Sequence, residues 1–488
     1  MKLRVYPINL SAGKPIAFIN ARDATKEDIH VGDRINIIYN SHRLLAVVDI
    51  TNIVRSGYIA LSQELSSLLP KKTIKEISIS IPHMALGSKV IQKRIQCTPY
   101  TDGELKEIIK DIVENRLSEA EIAYFVSGVY HCGFSTRETL GLIKAMIQTG
   151  QVLKWNSNQV ADKHSIGGIP GNRTTPIIVS ICASAGILMP KTSSRAITSA
   201  AGTADVMETL CSVDLSIKEI KNIVKKTNAC LAWGGSLGLA PADDKLIQIE
   251  KKLNVDPEPQ LIASILSKKL SVGSKYVLID IPYGKGAKVS LSGALKLKHK
   301  FLMFGKLLKL KIKVILTDGS QPIGNGIGPI LEMRDILHVL RRENSPLDLE
   351  KKSLLLAGSL LEMMHKAPKG KGIKKAKEIL DSGKAFDKFK EIIQAQRGEI
   401  KPLALASYKK DFLSPRAGKI KEINNKIINA VARTAGCPQD KAAGIYLHKH
   451  VGDKVAKDET IATIYSESRQ KLDEAYEMVS KEQAIELA

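Results

Sequence analysis

The sequence predicts a multidomain α/β protein: a small N-terminal β-barrel-like domain, a helical lobe, a mixed α/β lobe and a C-terminal α+β domain. Three observations carry this. Residues 1–85 are rich in short β-branched runs. Helices with capping-box spacing begin after Thr98-Pro99. From about residue 160, β-branched runs alternate with helical stretches and end in glycine-rich loops. The expected boundaries are 1–85 for the barrel-like domain, 86–411 for the central region and 412–488 for the C-terminal domain. Within the centre, a helical lobe takes about 86–158, joined by later helical segments, and an α/β lobe about 159–410.

In chain order, Arg34–Tyr39 and Leu44–Ile50 have strand composition, and Val31-Gly32-Asp33 is a turn before them. Ile77–Ile81 alternates apolar with polar and stops at Pro82, which has no N–H to donate. Thr101 with Glu104, Ser118 with Glu121, and Ser135 with Glu138 have the spacing of capping boxes. Behind the first, Leu105, Ile108, Ile109 and Ile112 share one helical face; behind the third, Leu142, Ile143, Met146 and Ile147 do, and Gly150 stops the helix. These stripes are core surface rather than a cofactor box. Tyr276–Asp280 and Lys313–Thr317 read as strands of a parallel sheet, which binds ligands beyond its carboxyl ends. Residues 350–410 return to helix. A strand-rich unit begins near Phe412, with Gly418–Ile423, Val451–Val455 and Ile461–Ile464, and Asp473–Glu486 closes the chain as a helix.

Composition narrows the function classes. At 488 residues, 44% hydrophobic and 25% charged, the chain can bury several cores. A net charge of +23 admits three sources: a nucleic-acid surface, an enzyme drawing in small polyanions, or a lysine-rich solvated surface. The lysines are scattered and aromatics are only 5%, which argues against a nucleic-acid partner. Cys97, Cys132, Cys182, Cys211, Cys230 and Cys437 form no C-x-x-C pair and show no zinc spacing with a histidine. They read as reduced, mostly buried thiols of a cytosolic protein, and no metal is expected. Met1–Leu10 lacks the apolar core of a signal peptide. Thr175–Pro190 is too short and too rich in Ser and Ala to cross a membrane and reads as a buried helix. A cytoplasmic location without a membrane partner is expected.

Two loops carry the chemistry. Asp162–Thr175 (DKHSIGGIPGNRTT) combines tight glycine turns with Lys163, Ser165, Thr174 and Thr175, and a helix from Pro176 to Ala185 follows. Backbone N–H groups at a helix start, a full positive charge and hydroxyl donors suit a phosphate. The spacing is not that of a Walker loop. Lys191–Asp205 (KTSSRAITSAAGTAD) holds six hydroxyl residues, two cations and a glycine. Either loop alone reads equally as an ordinary Ser/Thr/Gly turn; two in succession favour an oxyanion site. Gly324, Gly326 and Gly328 are too closely spaced for a dinucleotide loop. His448 and His450 lack a third ligand nearby and read as an exposed strand pair.

With these residues in view, Val160–Asp205 resembles the signature region of the thymidine and pyrimidine-nucleoside phosphorylase family. Ala240–Asp243 (APAD), Ile262–Lys269 (IASILSKK), Tyr283–Lys288 (YGKGAK), Thr317–Gly324 (TDGSQPIG) and Ser414–Gly418 (SPRAG) match in order, so the resemblance covers about residues 85–480. The wording KHSIGGIPGN, the segment Thr192–Thr203 and the extra N-terminal β-domain are most similar to the family's AMP phosphorylase branch.

The resemblance implies the two-lobed nucleoside phosphorylase fold and an enzyme, a pentosyltransferase. It implies phosphorolysis of a nucleoside 5′-monophosphate, AMP first and CMP or UMP beside it, to free base and ribose 1,5-bisphosphate. Orthophosphate is then a substrate, no cofactor is called for, and a homodimer or larger homo-oligomer is expected. The alternative is a thymidine or pyrimidine-nucleoside phosphorylase. By this match Lys163, Ser165, Thr175, Ser193 and Thr203 would bind phosphate. Gly168, Ser194, Arg195, Ala196, Ile197, Thr198, Ser199 and again Thr203 would hold the nucleotide, and Arg195 or Lys288 would neutralise its 5′-phosphate. Ser264 and Lys268, one helical turn apart, match the base-contacting pair. Asp256 matches the proton donor, a carboxylic acid of raised pKa that eases departure of a purine. His164 is a secondary candidate beside the base, and alone it reads equally as a packed structural residue. The family's pyrimidine-reading arginine has no clear counterpart; Gln248 and Ile249 fall near its place.

Overall fold

In a computed structural model, which describes residues 1–40, 42–70, 74–81, 85–196 and 199–488, the N-terminal segment closes into a six-stranded barrel. Its strands are β1 (Lys2–Tyr6), β2 (Ile16–Asn20), β3 (Arg34–Tyr39), β4 (His42–Thr51), β5 (Tyr58–Leu61) and β6 (Glu76–Ser80), in the order β1-β5-β2-β4-β3-β6. Alternation turns Leu3, Ile19, Ile35, Ile37, Val48, Ile59, Ile77 and Ile79 inward, and closure leaves no unpaired edge. The expected end of β6 at Pro82 lies outside the described residues.

The chain divides into two compact units, 1–149 with 241–263, and 150–240 with 264–488. Beside the barrel, the first unit carries the helices Leu86–Ile91, Asp102–Val113, Glu119–Cys132, Thr136–Gln148 and Pro241–Leu253. All three expected capping boxes are present, with both reciprocal bonds formed. Glu138 does more than cap. Its Oε1 accepts the Tyr100 N–H at 3.0 Å and a buried Arg94 guanidinium N–H at 2.9 Å, and Arg94 also lies 4.9 Å over the Phe134 ring.

The cysteine reading needs correction here. Cys97 and Cys132 form a disulfide, which ties the end of the 3₁₀ turn Gln92–Gln96 to the last residue of the helix Glu119–Cys132. The same geometry brings His131 beside them, the three ligand atoms lying within 4.8 Å, although the two sulfurs are bonded to each other. The partners are 35 residues apart, so their proximity is a product of helix packing and no local spacing announces it. The other four cysteines are buried free thiols, as expected.

In the second unit, β7 (Ala161–Ser165), β8 (Met189–Ser193), β9 (Ala229–Trp233), β10 (Tyr276–Tyr283) and β11 (Lys311–Asp318) are all parallel, paired as β11-β10-β7 and β8-β9. A parallel bridge from Val160 to Leu188 joins β7 to β8. Every strand therefore runs in the same sense and ends at the same edge. The helix Thr174–Ser184 is apolar all round and wholly buried apart from its last residue, packed against the helices Leu347–Met363, Gly372–Asp381 and Lys384–Ala395.

The last part of the chain builds two sheets from β12 (Gly326–Ile327), β13 (Tyr408–Leu413), β14 (Gly418–Ile423), β15 (Gly444–Leu447), β16 (Lys454–Val455), β17 (Thr460–Ser466) and β18 (Ile485–Leu487), ordered β12-β15-β17-β13 and β16-β14-β18. Two sequence expectations fail here. The helical stretch ends at Ala395, where Arg397 turns left-handed, and the chain re-enters a sheet at Tyr408. The closing helix is Arg469–Lys481; Gln483 turns left-handed, and Ile485–Leu487 pairs with β14 as a strand. At Ile485–Leu487 helix propensity yields to tertiary pairing, whereas after Ala395 the run is interrupted by Gly398 and Pro402 before the strand begins. His448 and His450 follow β15, His448 exposed as expected and His450 half-buried, bonded respectively to Thr463 Oγ1 at 2.8 Å and Asn325 Oδ1 at 2.9 Å. Among the described residues no helix is long and apolar enough to cross a membrane.

Breaking the disulfide frees a loop of 35 residues in the unfolded chain. Reduction, or Cys97→Ser, is expected to cost about 3–4 kcal/mol, read as an earlier urea transition with dithiothreitol than without it; coincident transitions would contradict the bond.

Candidate functional site

The parallel register decides where the loops emerge. Lys163 stands opposite Leu278 and Ser165 opposite Asp280, so the segments after β7, β10 and β11 leave one edge together. Their glycines let the backbones touch. A Cβ on Gly171 would lie 2.3 Å from the Ile323 carbonyl oxygen, and one on Gly168, which has φ +93°, would lie 2.8 Å from Lys288 Cγ. The Ile323 N–H donates to the Pro170 carbonyl at 3.1 Å. The β8 loop leaves the same edge beside them, because β8 neighbours β7.

Lys163 is buried, its Nζ donating to Thr174 Oγ1 at 2.9 Å. Burial pulls its ammonium down to about 8, with Asp280 opposing and Lys352, Arg173 and Lys269 adding to the fall. Asp280 is buried too. Burial works to raise its carboxyl, but Lys352 at 3.3 Å, Lys163, Thr317 at 2.7 Å and Ser165 outweigh it and hold it below the usual range. Thr175 sits in the first turn of the buried helix, whose start carries no side-chain cap, leaving its amides to another acceptor. His164 is kept well below its ordinary pKa by burial and then by Lys269, Lys191, Lys268 and Lys163, so it is neutral at physiological pH.

The second loop converges on the first through a residue to which the sequence reading assigned no role. Arg173 donates to Thr203 Oγ1 at 3.1 Å and the Ala201 carbonyl at 2.7 Å, while its Nε bonds the buried Glu332 at 2.5 Å. Its place between the glycine turn and Thr174-Thr175 was the available signal; its partner Glu332, 159 residues on, was not. Ser193 ends β8 with its Oγ buried and without a hydrogen-bond partner among the described residues. Thr203 is the first residue of the short helix Thr203–Met207. Asp205 clasps the loop by accepting N–H groups from Ala196 at 2.7 Å and Gly202 at 2.8 Å. A Cβ on Gly202 would fall 2.4 Å from the Arg195 carbonyl carbon, so glycine lets the two limbs close.

The remaining candidates divide. Arg195 is engaged by Glu208 at 2.7 and 2.8 Å and by Asp205 at 3.2 Å, and lies 4.8 Å over the Trp233 ring. These carboxylates raise its pKa further, and Arg195 draws Glu208 down to about 2. Of the two cations considered for the 5′-phosphate, Lys288 is the one against Gly168 in the first loop. Ser194 is exposed, and Ser199 Oγ donates to the Ala201 carbonyl at 2.7 Å. Ile197 and Thr198 lie outside the described residues. Ser264 and Lys268 are both half-buried on the helix Glu258–Ser271, one turn apart as expected. Asp256 belongs to the first unit, where its side chain is exposed in the loop between Leu253 and Glu258.

Comparison with known proteins follows this geometry. Residues 157–386 match the model of the glycosyl transferase family a/b domain, 88–150 its helical bundle domain, and 419–486 the pyrimidine nucleoside phosphorylase C-terminal domain. The chain is 42% identical to an AMP phosphorylase of Pyrococcus furiosus, covering all of this chain and 98% of that one. It is 39% identical to AMP phosphorylase 1 of Archaeoglobus fulgidus, over 99% and 97% of the two chains. A protein called a putative thymidine phosphorylase, from Legionella pneumophila, is 42% identical over 94% of this chain and 89% of its own. Among solved structures, the anthranilate phosphoribosyltransferase of Thermus thermophilus superposes with a TM-score of 0.53 at 16% identity, covering 63% of this chain and 99% of that one, a likeness of fold.

Lys163 neutralises an anion only while protonated, and its charge is lost as pH rises through about 8. We therefore expect kcat/KM for phosphate to fall about tenfold per pH unit above that value; a profile flat to pH 10 would show that Lys163 does not meet the anion. Arg173→Lys keeps the charge but loses the fork, and a rise of at least about tenfold in the KM for phosphate is expected in initial-rate assays.

Proposed function

We propose, for a chain that belongs to the AMP phosphorylase family, the reaction of that name: orthophosphate cleaves the N-glycosidic bond of a nucleoside 5′-monophosphate, giving free base and ribose 1,5-bisphosphate. AMP is the first-choice substrate, with CMP and UMP beside it. The observation that carries the reading is the convergence of the two hydroxyl-and-glycine loops at one edge, bridged by Arg173.

The chemistry follows from charge. Lys163, Ser165, Thr175, Ser193 and Thr203 receive the phosphate dianion through a cation and preorganised donors, as a buried anion requires. As the bond from C1′ to the base stretches, positive charge grows on the sugar, and the bound phosphate stabilises it. A phosphate oxygen then bonds to C1′, and the departing base keeps the bonding pair. Asp256 gives that base its proton, while Ser264 and Lys268 hold the ring. Lys288, beside Gly168, takes the 5′-phosphate. Both substrates are small anions, in keeping with the net charge of +23. We place the reaction in the cytoplasm, where nucleoside monophosphates are made and degraded, and assign it to a homodimer or larger homo-oligomer.

The second reading, a pyrimidine-nucleoside phosphorylase, draws on the Legionella relative's name. Incubation with phosphate and AMP, CMP, UMP, adenosine, thymidine or uridine separates the two. Base release from AMP but not from adenosine supports the proposal; release from thymidine and uridine alone replaces it. Lys163→Ala and Asp256→Asn are each expected to abolish base release with circular dichroism unchanged, and near-normal turnover in both would refute the site.

A further inference from the structure

Close to the phosphate lysine lies a buried cluster to which the reaction above gives no part. Asp162, Lys191 and Lys269 have side chains 0, 5 and 2% exposed. Asp162 Oδ2 accepts from Lys269 Nζ at 2.7 Å, and Oδ1 accepts the Lys163 N–H at 2.7 Å and stands 3.6 Å from Lys191 Nζ. The three residues come from three elements. Asp162 is on β7, next to Lys163. Lys191 is on β8, two residues before Ser193 and so on the same face of the strand. Lys269 is on the helix Glu258–Ser271, directly after Lys268.

We propose that Asp162 and Lys269 are positioning residues: one buried carboxylate fastens the helix carrying Ser264 and Lys268 to the strands that deliver the two phosphate loops. The inference rests on the proposed reaction. Three charges withdrawn from water are tolerated only in mutual contact, so the cluster has one low-energy geometry, and that geometry sets the distance between the base-holding pair and the phosphate. Misplacement of about 1 Å between reacting partners costs on the order of 100-fold in rate, so a tie of this kind acts on turnover without touching substrate. Lys191 still balances Asp162 when Lys269 is lost, and Lys163 and Ser193 keep their own places. The phosphate side is therefore less affected than the base side.

The test separates positioning from plain stability. Asp162→Asn with Lys269→Met removes the bonded pair together, where Asp162→Asn alone would leave both lysines without their carboxylate; Lys191 keeps its hydrogen bond to the Thr192 carbonyl. We expect this double variant to keep its Tm within a few degrees, to keep its KM for phosphate within about threefold, and to lose at least about tenfold in kcat. Lys269→Arg, which keeps a cation on Asp162, should regain most of the lost turnover. If the double variant fails to fold, Lys269→Gln, which leaves Lys191 with Asp162, reads the same split. A folded variant with kcat within twofold of wild type overturns the inference while the reaction stands. Wild-type protein that releases no base from any nucleotide or nucleoside overturns the reaction and this inference with it.

Discussion

Burial of cations at one edge of a parallel sheet is the constraint on which the rest of the second unit depends. Lys163, Lys191, Lys269, Lys352 and Arg173 are gathered there, and Asp162, Asp280 and Glu332 hold them. Such charges are costly out of water unless paired and hydrogen-bonded. Each carboxylate is correspondingly fixed by further donors: Thr317 on Asp280, the Lys163 amide on Asp162 and the Gly328 amide on Glu332. Positive charge exceeds negative among these groups. The burial that lowers the Lys163 pKa also makes an incoming dianion favourable.

The two loops are glycine-rich because this edge is crowded with backbone. Gly171 admits the Ile323 carbonyl, Gly202 lets the limbs of the second loop close, and Gly168 brings the chain against Lys288. The rigid parts lie behind them: a buried helix after the first loop and the Asp205 clasp under the second. The C-terminal region joins this scaffold directly. Asn429 Oδ1 accepts the Ala200 N–H at 2.9 Å, Asn425 donates to the Gly319 carbonyl at 2.8 Å, and β12 pairs with β15. The second loop and the β11 loop are thus braced by residues more than a hundred positions away.

Much of this was legible beforehand. Capping boxes are local, so all three helix starts could be read from spacing. The strand composition of β3 and β4 and the alternation of β6 need no partner to be seen, and the candidate residues Lys163, Ser165 and Thr175 fall in one short run. What escaped was of another kind. Arg195, a cation with no visible partner in sequence, sits between Glu208 and Asp205. Ile485–Leu487 has helical neighbours and becomes a strand because β14 offers an edge.

The sequence by itself determined the three capped helix starts, the strand character of β3, β4 and β6 and the grouping of the candidate anion-binding residues, since each follows from periodicity or from residues adjacent in the chain. Tertiary structure alone decided that Cys97 meets Cys132, that Arg173 joins the first loop to Thr203, and that Asp162 links Lys191 with Lys269. The physical reason is distance along the chain. A bond between residues 30 to 160 positions apart depends on how strands register and helices pack, and no local pattern of side chains encodes that.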